Sequence, residues 1–186
     1  MASLASSVDP ACVLKVARNG GLSVMARPLE ESPYELVDTV TKLAALGTKL
    51  DGSSAFAFDL EQNSYRSYHG VTCLIQIALP SEVDYIVDVL AVWDHVGQYL
   101  GPAFANIGIL KVAHAVSGCD VPALFRDFGM VIVNLLDTYE AGLALDEPAL
   151  GLATLLVKYG VPSSDRLRGL KGVYQVSLRG ESALRG

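Results

Sequence analysis

The sequence predicts an α/β fold, a mixed sheet with helices on both of its faces. Three observations carry that expectation. Three apolar runs rich in strand-forming residues follow one another between residues 56 and 90 with short connections, strand-like and helix-like runs alternate from there to residue 159, and 51% of the 186 residues are hydrophobic. Short connections join antiparallel neighbours, whereas strand and helix alternation returns strands in parallel, so one sheet holds both kinds of pairing.

Each element has its own local signal. Residues 1–33 hold a turn sequence, Asn19-Gly20-Gly21, and Arg27-Pro28 before an acidic stretch, and are expected to form a loosely ordered lead-in. After Ser32-Pro33, the residues Leu36, Val37, Val40, Leu43 and Leu46 recur at helical spacing until Gly47 and Asp51-Gly52 break the pattern, which predicts a leading helix. Strands are expected at 56–60, 71–79 and 85–90, the last two parted by a turn at Pro80-Ser81. Val92, Val96, Tyr99 and Leu100 predict a helix, 107–113 a fourth strand, 121–128 a helix, 130–135 a fifth strand, and 137–145 and 150–159 two closing helices. Beyond the leading helix the order is βββαβαβα. Periodicity is lost after Pro162, so 161–186 is expected to be a disordered tail with arginines available to phosphate.

Composition excludes several classes. The longest apolar stretches are too short to cross a bilayer, and Asp9 and Pro10 interrupt any secretory h-region, so no membrane partner and an intracellular site are expected. Cys12, Cys73 and Cys119 are odd in number and widely spaced, which predicts reduced thiols; no CxxC pair suggests zinc, and no Gly-x-Ser-x-Gly elbow suggests a serine hydrolase. A net charge of −6 argues against a free-standing basic nucleic-acid binder. It leaves room for an enzyme that meets phosphate through bound cations.

The chemical lead is Asp59 with Glu61, closing the run Ala-Phe-Ala-Phe-Asp-Leu-Glu at 55–61. Alternation along a strand puts residues i and i+2 on one face, so two carboxylates share a small volume. Solvent or a divalent cation relieves their repulsion, and hard oxygen donors suit Mg²⁺ or Mn²⁺. Other residues have plainer readings beside functional ones. Asp120, with Pro122 next but one, reads alone as a helix N-cap, and Asp137-Thr138 as the cap of the next helix. His114 among apolar neighbours reads as a satisfied core histidine and Cys119 as a small buried filler. Tyr65, Arg66 and Tyr68 offer base stacking and phosphate grip, or turn packing.

The stretch Phe58-Asp59-Leu60-Glu61-Gln62-Asn63-Ser64-Tyr65-Arg66-Ser67-Tyr68, followed by Gly70-Val71-Thr72-Cys73-Leu74-Ile75-Gln76-Ile77, resembles the first exonuclease motif of the RNase D superfamily, DEDDy type. Within it the similarity is greatest to the exosome-associated nuclear exoribonucleases. Lys111-Val112-Ala113-His114 through Asp120-Val121, then Asp127-Phe128-Gly129 and Asp137-Thr138, resembles the second motif, and the similarity runs from about Met25 to Tyr159. The resemblance implies a ribonuclease-H-like (DnaQ-like) exonuclease domain over 34–160 and a site of four acids holding two Mg²⁺ or Mn²⁺ ions. It implies 3′-to-5′ hydrolysis of single-stranded RNA to nucleoside monophosphates in RNA processing with the exosome core and its cofactors, in the nucleus.

By position, Asp59, Glu61 and Asp120 match three of the four acids, as catalytic and metal-ligating residues; the implied roles are a bridging ligand, an orienter on the nucleophile side and an outer ligand. Gln62, Tyr65 and Arg66 are the substrate-binding candidates. The family's third motif, a tyrosine four positions before an aspartate, has no match, since no aspartate follows Tyr174. The expectation from that is an incomplete, truncated exonuclease domain, with a catalytically inactive RNA- or protein-binding adaptor or a truncated gene product as the alternatives.

Overall fold

The computed structural model describes residues 33–63, 70–80 and 83–159. The expected lead-in up to residue 32, the expected tail, and the substrate candidates Tyr65 and Arg66 lie outside the described residues.

The chain runs β1 (Tyr34–Val37), α1 (Val40–Asp51), β2 (Ala55–Asn63), β3 (Val71–Ala78), β4 (Asp84–Asp88), α2 (Val89–Val92), a 3₁₀ turn (Trp93–His95), α3 (Val96–Phe104), β5 (Leu110–Ala113), α4 (Asp120–Phe128), β6 (Leu135–Asp137), α5 (Thr138–Ala144) and α6 (Leu152–Lys158). Six strands form one mixed sheet in the order β1-β4-β3-β2-β5-β6. The meander β2-β3-β4 is antiparallel, β5 and β6 continue parallel to β2, and β1 adds in parallel to β4 at the far edge. From β2 onward this is the expected βββαβαβα order.

Strand β2 shows why the sheet forms. Phe56, Phe58 and Leu60 are buried and alternate with Ala57, Asp59 and Glu61, a two-residue period that gives one apolar face. Phe104 of α3 meets Phe56 and Phe58 edge-on, with ring centroids 5.0 and 5.1 Å away. Burial of each such side chain contributes roughly 1.5–3 kcal/mol. Ile75, Ile77, Val87 and the α1 residues Leu43, Leu46 and Leu50 complete the core. Helices α1 and α3 touch at Gly47, where a Cβ would lie 2.5 Å from the Tyr99 carbonyl oxygen, so only glycine permits the approach.

The structure corrects two elements. Leu36 and Val37 belong to strand β1, and the helix starts only at Val40. Thr39 caps it, accepting from the Lys42 N–H at 3.4 Å, and pairing with β4 outweighs the helical spacing of the apolar residues before it. The expected fifth strand at 130–135 is displaced to Leu135–Asp137. Met130 still serves the end of α4, its N–H reaching the Leu124 carbonyl at 3.2 Å, with Gly129 in the left-handed region at φ 66°. Val133 then bonds the Phe104 carbonyl, and Asn134 turns with φ 53°, so most of that apolar run is spent in a packed connection. Smaller shifts are a third strand ending at Asp88 and a fourth beginning at Leu110.

Candidate active site

The parallel strands β2, β5 and β6 point their C-terminal ends the same way, and in open α/β sheets ligands gather at that edge. Asp59 and Glu61 stand there on β2, alternating with buried Phe58 and Leu60. Asp59 pairs with Gln76 and Glu61 with Leu74; a bulge follows, so that Gln62 pairs with Thr72 and Cys73 is skipped. On the other side β2 pairs with β5 as far as Ala57 and Val112, and His114 follows directly on the end of β5.

Asp120 arrives from the loop between β5 and α4. It is the first residue of the helix rather than its cap: the N-cap is Cys119, which makes no side-chain cap bond, and Cys119 is exposed rather than buried. The Asp120 carboxylate turns toward β2, where Oδ1 accepts from Gln62 Nε2 at 3.2 Å. Its pKa is raised to about 6, first by burial and then by the charge of Asp59; the Gln62 bond opposes this, while Glu61 and Asp137 add to it. Burial also raises Asp59, with the Leu60 N–H and the charge of His114 pulling back, and raises Glu61, to which Asp59 adds repulsion. The three acids therefore share one electrostatic field.

Two tethers fix that geometry. Asp137, at the end of β6, caps α5 by accepting from the Tyr139 N–H at 2.9 Å and also reaches back to the N–H groups of Ala115 at 2.8 Å and Val116 at 2.9 Å. Burial pulls the Asp137 pKa up, but these N–H groups and that of Glu140 hold it below the usual carboxylate value. The clamp keeps Ala115 at φ 57°, a conformation that side chains other than glycine's rarely adopt, and the Val116 carbonyl in turn accepts from the Asp120 and Val121 N–H groups at 3.1 Å each. At the other end of α4, Asp127 accepts from the N–H and hydroxyl of fully buried Thr72, at 3.1 and 2.8 Å, while Arg126 forks onto it at 2.6 and 2.7 Å. The expected cap role of Asp137 holds; its clamp on the loop carrying Asp120 has no local signal in the sequence.

His114 is half-buried and hydrogen-bonded, its Nδ1 2.8 Å from Thr138 Oγ1 and its ring edge-on to Tyr139. This agrees with a satisfied histidine, yet one that lies close enough to act on Asp59. Among the described residues, no three His, Cys, Asp or Glu side chains are grouped to hold a metal ion as they stand. The donor set nevertheless fits a hard divalent cation in its chemistry: carboxylate oxygens only, their pKa values raised first by burial, with repulsion from neighbouring carboxylates added at Glu61 and Asp120 that a cation would relieve. Asp59, Glu61 and Asp120 are the residues that would hold it.

A mixed sheet with this strand order, two acids on one strand and a third opening the helix beside it, defines the class as a ribonuclease-H-like exonuclease fold. The chain belongs to the 3′-5′ exonuclease family, whose model matches residues 34–166. Among curated relatives, the exosome complex component 10 homolog of Caenorhabditis elegans is 47% identical over 131 residues, covering 70% of this chain and 15% of its own length. Protein RRP6-like 1 of Arabidopsis thaliana is 43% identical over 132 residues, 71% of this chain and 20% of its own. The chain thus spans about a fifth or less of these relatives. Among solved structures, the catalytic core of RRP6 from Trypanosoma brucei is similar with a TM-score of 0.65 and 39% identity, over 70% of this chain and 35% of that one. RNase D of Escherichia coli, an exoribonuclease involved in structured RNA processing, has a TM-score of 0.60 and 26% identity, over 68% of this chain and 33% of that one.

Proposed function

We propose that this chain is a 3′-to-5′ exoribonuclease domain that releases nucleoside monophosphates from single-stranded RNA ends, in RNA processing and decay with the nuclear exosome. The observation that carries the reading is the convergence of Asp59, Glu61 and Asp120 at the C-terminal edge of the sheet, where burial first and then the charges of Asp59 and Glu61 raise the Asp120 pKa to about 6. Divalent ions, Mg²⁺ or Mn²⁺, would supply activation of the attacking water and neutralisation of charge on the phosphate. Asp59, whose charge acts on both Glu61 and Asp120, would serve both sides of such a site. Asp137 and Asp127 hold the loop and helix that present Asp120. Relatives named for the exosome and for RRP6 support the partner and the nuclear setting.

The test is incubation of the chain with 5′-labelled single-stranded RNA in Mg²⁺ or Mn²⁺ beside Asp59→Asn. Stepwise shortening from the 3′ end that vanishes in the variant is expected; equal inertness of both proteins overturns the enzymatic reading. That three acids are not grouped as a ligand set among the described residues favours a second reading, an inactive RNA- or protein-binding adaptor. Retention of labelled RNA without shortening would identify it.

A further inference from the structure

Gln62 Nε2 donates to Oδ1 of Asp120 across 58 residues of sequence, so an oxygen that the proposed function assigns to a cation carries an amide in this structure. We propose that Gln62 is a positioning residue that competes with the divalent cation for Asp120, so that cation binding requires the amide to swing away. The inference rests on the metal-site reading above.

Four features support it. An amide –NH₂ carries partial positive charge and meets the carboxylate as a weak substitute for a cation, opposing the rise in its pKa. At 3.2 Å the contact is at the long end for an N–H···O bond, weaker than a short charge-assisted one and open to displacement by a cation. Gln62 also follows the register shift at Glu61/Gln62, where the ladder between β2 and β3 skips Cys73 and so re-aims the side chains beyond it. Asp120 itself is held from behind by the Asp137 clamp and by α4, so the amide is the partner with freedom to move.

The alternative is that Gln62 supports Asp120 in its ligating orientation, and the two roles predict opposite signs. Mn²⁺ binding is measured by calorimetry on the full chain, for wild type, Asp59→Asn, Gln62→Met and Gln62→Ala, with metal-free melting curves recorded for each. Competition predicts about three- to tenfold tighter Mn²⁺ binding in both Gln62 variants, the size of one hydrogen bond to a charged group moderated by solvent. It also predicts that the gain disappears when Asp120→Asn is combined with Gln62→Met. Unchanged or weaker binding in both Gln62 variants, while Asp59→Asn abolishes binding, overturns the competition and leaves the metal site standing. Absence of Mn²⁺ binding in wild type and both Gln62 variants overturns the metal reading and the competition with it.

Discussion

Helices α4 and α5 both begin beside the C-terminal edge of the sheet, and both have an aspartate at the start, yet the two carboxylates meet opposite treatment. Asp137 accepts N–H groups from Ala115, Val116 and Tyr139 at 2.8–2.9 Å, and its pKa lies below the ordinary value. Asp120 accepts one side-chain amide at 3.2 Å among the described residues and is raised to about 6. A carboxylate saturated with backbone donors is stable as an anion and needs nothing further. One packed beside two other acids without such donors has an unfavourable charge that a cation or a proton relieves. The contrast separates an acid that builds the loop from an acid that the loop presents.

The sharpest way to break this comparison is to remove the charge at each position in turn. Asp120→Asn is expected to lower RNA shortening more than about 100-fold, because even residues that only support a metal ligand cost 10–100-fold when changed. Its melting temperature should not fall. Retained activity would remove Asp120 from the site.

Asp137→Asn is expected to act in the opposite order. The amide leaves one oxygen to accept and points an N–H₂ at the N–H donors of the 115–116 loop, so a loss of roughly 2–3 kcal/mol in urea unfolding at pH 7 is expected. Reduced activity should accompany it through the loop that carries Asp120. A variant as stable as wild type but inactive would place Asp137 in the ligand set and dissolve the contrast.

What the sequence disclosed follows the same division between local and long-range effects. Strands β2 to β5 were legible because alternating apolar residues write their own pattern, and the Asp59 and Glu61 pair followed from β2 alone. Strand β1 was not, because four residues gain their state from pairing with β4, about 50 residues later. The run at 130–135 looked like a strand because Val131, Ile132 and Val133 are consecutive β-branched residues, yet the demands of the α4 cap and the Asn134 turn came first. Asp120 was identified by resemblance against a local N-cap reading that the structure rejects. The Gln62 contact with Asp120 and the Asp137 clamp on Ala115 join residues 58 and 22 positions apart and leave no trace in either neighbourhood.

The smallest expected effect gives the finest test, because the two aspartates should respond to pH with opposite signs. Asp120 has an ordinary value of 3.8 and a folded value of about 6, so the folded chain holds this proton more tightly than the unfolded one. Its contribution to stability is complete below about pH 4 and is lost as pH rises through about 6. A displacement of that size is worth ~3 kcal/mol at full value, and about 1 kcal/mol after solvent screening at a partly exposed site. Asp137, held low, contributes above its ordinary 3.8 and loses that contribution as pH falls through its folded value. In metal-free buffer Asp120→Asn should match wild type near pH 4 and exceed it by about 1 kcal/mol at pH 7, as read by urea unfolding. Mn²⁺ should close the gap by stabilising wild type alone. If Asp120→Asn is instead less stable at pH 7, the carboxylate was stabilising the start of α4 after all, and Asp120 would belong with Asp137 as a structural acid.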